Sequence, residues 1–123
     1  MPILSIEIVQ ENHETIDSSW AQQIADAAGA VFGTEPGRTW VRLHRLDSTH
    51  YAEQGGNPQQ TPRPVFVSVL QARTPELERK RVLASALASC IGEVCRRPTE
   101  LVHILWLPEG MNRIAFGGTL REG

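Results

Sequence analysis

The sequence is poor in several things, and each shortage excludes a class of protein. Its 123 residues include two cysteines, two methionines and one tyrosine, and only 6% are aromatic. Cys90 and Cys95 stand five apart in one amphipathic stretch, a spacing that matches neither a redox pair nor a zinc site. They read as small buried thiols, and no metal is expected. Neither sign of charge dominates: 12 basic and 14 acidic residues leave a formal charge of −2, with no basic run. The electrostatic footprint of a nucleic-acid binder is therefore missing. No apolar run reaches the length of a membrane span, and the start of the chain lacks the charged-then-apolar pattern of a signal peptide. The expectation is a cytoplasmic protein that engages neither nucleic acid nor membrane. What is present, 41% apolar and 21% charged residues, is the composition of one ordinary globular domain.

The chain also repeats itself. Displaced by 62 positions, Pro2 falls on Pro64, Pro36 on Pro98, and Gly55-Gly56 on Gly117-Gly118. Each half reads as proline, apolar strand, amphipathic helix, proline, apolar strand, loop and paired glycines. The expected units are 2–56 and 64–118, joined within one domain (1–123) by a connector at 57–63 that is rich in proline and glutamine.

In the first unit Leu4, Ile6 and Ile8 alternate with a more polar set, which is strand patterning. From about Thr15 the period lengthens, and Ile16, Trp20, Ile24, Ala27 or Ala28, and Val31 predict a helix. Thr15 or Asp17 is its candidate cap and Gly33 its stop. Thr39–Leu46 predicts a second strand, with Val41 and Leu43 on one face and Trp40, Arg42 and His44 on the other. In the second unit Val65–Leu70 is a strand. Thr74-Pro75-Glu76, with Thr74 as hydroxyl cap, starts a helix whose buried stripe is Leu77, Leu83, Leu87, Ile91 and Val94, and Leu101–Leu107 is the last strand.

The order βαβ–βαβ gives an α+β fold: a four-stranded mixed sheet with two helices on one face, because parallel crossovers are right-handed. The other face has no cover from its own chain. Strands three and four are apolar on both faces, which predicts association with further copies.

The Met-Pro-Ile-Leu start, the Pro36 segment followed by Val41-Arg42-Leu43, and an aromatic residue ahead of Gly55-Gly56 resemble the 4-oxalocrotonate tautomerase (4-OT) family. Gln71-Ala72-Arg73-Thr74-Pro75 and Phe116-Gly117-Gly118 look like the same unit again. The whole chain is similar to the fused, double-unit members of the tautomerase superfamily. Their architecture is shared by 5-carboxymethyl-2-hydroxymuconate isomerase and macrophage migration inhibitory factor. The resemblance implies a homotrimer whose sheets form a central barrel, and an active site without cofactor or metal.

It also implies roles. Pro2, freed of Met1, is the general base of a keto–enol tautomerase acting on a small carboxylate-bearing substrate. A proline nitrogen inside the chain is an amide, whereas at the terminus it is a secondary amine. Pro64 is always an amide, so one proline-centred site per chain is expected. Proline is small enough to permit removal of Met1. Arg42 matches the family's carboxylate-binding arginine and Arg73 its second arginine, whose place in the first unit is taken by Asn12 and His13. Tyr51 matches the aromatic wall, and His44 lies on the same strand face as Arg42. The residues alone leave other roles open: an edge-strand opening for Pro2, a rim ion pair for Arg42, a solvated turn for Arg73, packing for Tyr51 and structural places for His44 and His103.

Two other readings fit the same pattern. A dehalogenase or decarboxylase of the superfamily keeps its proline protonated and needs a water-activating acid near the last strand. Ile114-Ala115-Phe116 provides none, and Glu53 is the nearest acid. A non-catalytic tautomerase-like or ferredoxin-like assembly subunit needs no free Pro2 at all.

Overall fold

The alternating runs become strands and the 3.6-period runs become helices. The structure, a computed structural model, describes residues 2–57 and 62–123. Met1, and with it the expected removal of that residue, lies outside the described residues, as does the 58–61 part of the connector. The elements are β1 (Ile3–Gln10), α1 (Trp20–Phe32), β2 (Trp40–Asp47), β3 (Val65–Leu70), α2 (Leu77–Cys95), β4 (Val102–Trp106), β5 (Ala115–Phe116) and β6 (Thr119–Leu120). The first four strands form one sheet in the order β2-β1-β3-β4. β1 and β2 are parallel, as are β3 and β4, while β1 and β3 meet antiparallel. The sheet is therefore the expected mixed one, built from two parallel pairs.

Period two decides which side chains enter the core. Leu4, Ile6 and Ile8 of β1 and Val65, Val67 and Val69 of β3 are buried beneath Trp20, Ile24 and Ala28 of α1 and Leu87 and Ile91 of α2. Burying each large aliphatic side chain contributes about 1.5–3 kcal/mol. The register pairs Ile3 with Leu70 and Ile8 with Val65, so the strand entrances lie at opposite ends. Pro2 precedes one and Pro64 the other.

Several local expectations are corrected. Neither Thr15 nor Asp17 caps α1. The Asp17 carboxylate accepts from the Ser19 amide at 2.8 Å and its hydroxyl at 2.7 Å, forming a turn that delays the helix to Trp20. Thr74 does not cap α2 either, because its hydroxyl donates to Glu109 at 3.2 Å and the helix starts at Leu77. Leu77 is not in the buried stripe but is 62% exposed. It lies about a third of a turn off the row that begins at Leu83. On the sheet face away from the helices, β3 and β4 present half-buried Phe66 and Leu70 and Leu105, which is 61% exposed. Val102, Ile104 and Trp106 belong to the core side. The β5–β6 hairpin is new, since two-residue strands around Gly117-Gly118 carry no periodicity.

Arg97, just beyond α2, joins the two units. Its buried guanidinium donates to the carbonyls of Arg63, Cys95 and Val9 and to both carboxylate oxygens of Glu14. The chain reaches it through a left-handed Arg96 (φ 58°), where the Arg97 N–H donates a hydrogen bond to the Gly92 carbonyl at 2.8 Å. A Cβ at position 92 would stand 2.7 Å from the Arg97 carbonyl oxygen. Gly92→Ala is accordingly expected to cost about 1–3 kcal/mol, through overpacking against backbone, and to lower the denaturation midpoint. An unchanged midpoint would show that the turn yields without cost.

Candidate active site

The entrance of β1 is where the chain sets its proline. Pro2 is fully buried, and its carbonyl accepts the Trp40 amide at 3.1 Å, continuing the β1–β2 ladder by one bond. Proline has no N–H to contribute on the other side, so the position leaves no donor unsatisfied. Around Ile3 and Trp40, the residues next to and bonded to Pro2, opens a cavity of about 530 Å³. Leu70 and Ala72 at the exit of β3 and Ile114 and Phe116 of the last hairpin form its apolar walls. Trp40 and Phe116 meet edge to face, with centroids 5.5 Å apart. The Trp40 indole N–H donates to the Gly37 carbonyl at 3.0 Å, which fixes the ring. Gly117 and Gly118 have positive φ (57° and 86°), which lets the hairpin turn back over the cavity.

None of the expected site residues lines this cavity: Pro2 lies buried beside it, and the others stand elsewhere. Arg42 lies on the open sheet face, where its guanidinium donates to the Ser5 hydroxyl at 2.7 Å across the β1–β2 ladder. His44 is exposed on the same face, opposite Glu7. Arg73 follows Ala72 at the Pro2 end of the sheet but is exposed, with its guanidinium beside Gly123. Tyr51 stands at the other end. With Asn12, Arg63 and Pro64 it lines a second cavity of about 350 Å³. Its ring tilts on Phe66 at 5.8 Å, Phe66 tilts on His103 at 5.6 Å, and its hydroxyl donates to Glu53 at 2.6 Å. In a single chain, therefore, Tyr51 lines a cavity at the opposite end of β1 from the one beside Pro2.

Burial, and then the hydrogen bond and charge of Glu53, push the Tyr51 phenol up to about 12. The neutral phenol is the favoured form. As the only tyrosine, it is open to direct alkaline titration by ultraviolet absorbance. The expected midpoint is about 12. Glu53→Gln is expected to lower it by removing the adjacent negative charge. A midpoint at the ordinary tyrosine value would disprove the contact.

Other residues enter that were not singled out in the sequence. Arg38, Glu35 and Arg121 line the Pro2 cavity. Phe116 carried a signal, the repeat of an aromatic residue with paired glycines, but the two arginines sit in turns without pattern. Among the described residues no group of three or more His, Cys, Asp or Glu is arranged to hold a metal ion. Burial pushes the Cys95 thiol up to about 11, which makes it an unreactive core group. No helix among the described residues is long and apolar enough to cross a membrane.

No family model and no curated protein matches the sequence. Solved structures do. A native fused 4-OT matches with a TM-score of 0.75 and 19% identity, over 97% of this chain and 95% of that one. A fused 4-OT wild type described as a symmetric trimer gives a TM-score of 0.77 and 14% identity, over 97% and 94%. The macrophage migration inhibitory factor from Trichinella spiralis gives 0.70 and 13% identity, over 95% and 97%. At these identities the likeness speaks for the path of the backbone, and on it this chain has the fold of the tautomerase superfamily.

Proposed function

We propose that the protein is a cofactor-independent tautomerase whose general base is the Pro2 amine, exposed by removal of Met1. The observation that carries this reading is the apolar-walled cavity opening beside Pro2 at the entrance of β1. An α-amino group titrates closer to neutrality than a lysine, and burial beside a cavity walled by Leu70, Ile114 and Phe116 disfavours its protonated form further. The free amine takes a proton from an enol hydroxyl or from the carbon beside a carbonyl. It then returns that proton to another carbon, so no net charge or atom is lost. Pro64 opens the second cavity as an amide and has no base to offer there. Two units, 2–56 and 64–118, thus share a fold while one of them holds the reacting group.

The assembly is read as a homotrimer. The open sheet face leaves Leu105 exposed and Phe66 and Leu70 half-buried, and a structural neighbour with the same backbone path is a trimer. In that assembly Arg42, His44 and Tyr51 meet a site only across subunits, and Arg73 from the Pro2 end of its own chain. The test is the intact mass of the purified protein together with an assay of phenylenolpyruvate and 2-hydroxymuconate ketonisation. Loss of Met1 with turnover supports the reading. Full retention of Met1, or a processed chain inactive on both compounds, counts against it.

A further inference from the structure

The Pro2 cavity contains two cations that the fold does not use. Arg38 comes from the turn before β2, and Arg121 from the segment after β6, beyond the second unit's paired glycines. Neither guanidinium has a hydrogen-bond or ion-pair partner among the described residues. Their backbones are nevertheless held. The Arg38 amide donates to the Glu35 carbonyl at 3.1 Å and the Arg121 amide to the Ile114 carbonyl at 2.9 Å, while the Arg121 carbonyl accepts from Asn112 at 2.7 Å. Glu35 is the one acid lining the same cavity, so the two arginines leave it with a positive balance. Beside them the Trp40 ring is 45% exposed, a large apolar surface turned to an open cavity and locked by its indole bond to Gly37. The arginines expected from sequence are placed otherwise, Arg42 on Ser5 and Arg73 beside Gly123.

We infer that Arg38 and Arg121 together hold a carboxylate of the molecule that enters the Pro2 cavity, with its planar apolar part against Trp40 and Phe116. This inference rests on the proposed function for the identity of the site, but not for its test. A guanidinium offers paired donors that match a carboxylate, and anchoring from two sides fixes the orientation of the bound molecule as well as its charge. The reacting carbon is thereby positioned from within one chain. The segment that follows the second unit carries one of the two anchors.

Binding separates this inference from catalysis. Cinnamate, an unreactive planar carboxylate, and cinnamamide, its neutral isostere, would be titrated calorimetrically into the full-length protein. The same titrations would be run on Arg38→Gln, Arg121→Gln, the double variant and Pro2→Ala. Wild type is expected to prefer the carboxylate, and each arginine variant to lose about ten- to a hundredfold of cinnamate affinity. Cinnamamide affinity should stay unchanged, so that the preference disappears in the double variant. Pro2→Ala should keep the preference even if the amine proves to have no catalytic part. No cinnamate binding by wild type, or a carboxylate preference that survives both substitutions, overturns the inference. Equal loss for acid and amide also overturns it, because that result marks a structural role.

Discussion

Blocking the Pro2 nitrogen is expected to lower ketonisation of phenylenolpyruvate by about 10²–10⁴-fold, the range typical of losing a positioned acid–base group. Two variants separate the chemical claim from the packing one. A chain made with a residual N-terminal residue that cannot be trimmed keeps the proline ring but turns its nitrogen into an amide, and should show the full loss. Pro2→Ala, once processed, still presents an α-amino group, but it empties the fully buried place of the ring. Its loss should be smaller, on the order of a hundredfold, because a primary amine of ordinary basicity remains. In both cases kcat should fall more than KM rises, since the amine acts in the transition state rather than in holding the substrate. The pH profile adds a sign: the base works deprotonated, so the wild-type rate should fall on the acid side of the amine's own titration. Undiminished turnover by the blocked chain would remove the mechanism. The second cavity supplies an internal comparison, because Pro64 and its surroundings repeat the arrangement with the nitrogen already acylated.

The strands and the placing of both helices on one face of a mixed sheet were legible because they follow from period-two burial and from the handedness of parallel crossovers. Leu4, Ile6 and Ile8, like Val65, Val67 and Val69, alternate cleanly, and these are the buried positions. Helix beginnings were not legible, because a cap is a competition between local partners. Asp17 has Ser19 and Thr74 has Glu109, a residue 35 positions away that no local pattern reveals. The separation of Tyr51 from Pro2 was implicit in the order already read. β1 and β2 run parallel, so whatever follows β2 leaves the sheet at the exit of β1. Eight residues of strand place that exit roughly 25 Å from Pro2. The same rule puts Arg73 at the Pro2 end, because β3 runs antiparallel to β1. Arg38 and Arg121 were hidden for another reason: turn residues on either side of a cavity show neither period nor motif. Only the closing of the last hairpin beside β1 brings them together.

Removing the Arg97 side chain is expected to destabilise the protein by about 3–5 kcal/mol, the cost of stripping one partner from a buried ion pair. All five guanidinium N–H groups are used: three go to the carbonyls of Arg63, Cys95 and Val9, and two, at 2.7 and 2.8 Å, to the Glu14 carboxylate. With Arg97→Met those three carbonyls each lose a bond, and a carboxylate only 15% exposed is left with the Glu11 amide alone. The loss falls where the exit of β1, the entrance of β3 and the end of α2 meet, so the two units should loosen in one transition with a lower midpoint. Replacing both Arg97 and Glu14 by apolar residues should cost less than Arg97→Met alone, because no orphaned charge remains. Acid provides a second reading of the same pair. Burial alone pushes the Glu14 carboxyl up, but the Arg97 hydrogen bonds, the Glu11 amide and the Arg97 and Arg96 charges outweigh it and hold it below its ordinary value of 4.5. A carboxylate with a depressed folded-state pKa stabilises the fold fully above its unfolded value, and that contribution is lost as pH falls through the folded one. Denaturation midpoints should therefore decline as pH drops below about 4.5, and more steeply in wild type than in Glu14→Gln, which has no proton to gain there. A cost below about 1 kcal/mol for Arg97→Met, the size of a surface pair, would mean that water replaces the guanidinium and that the junction is not dry.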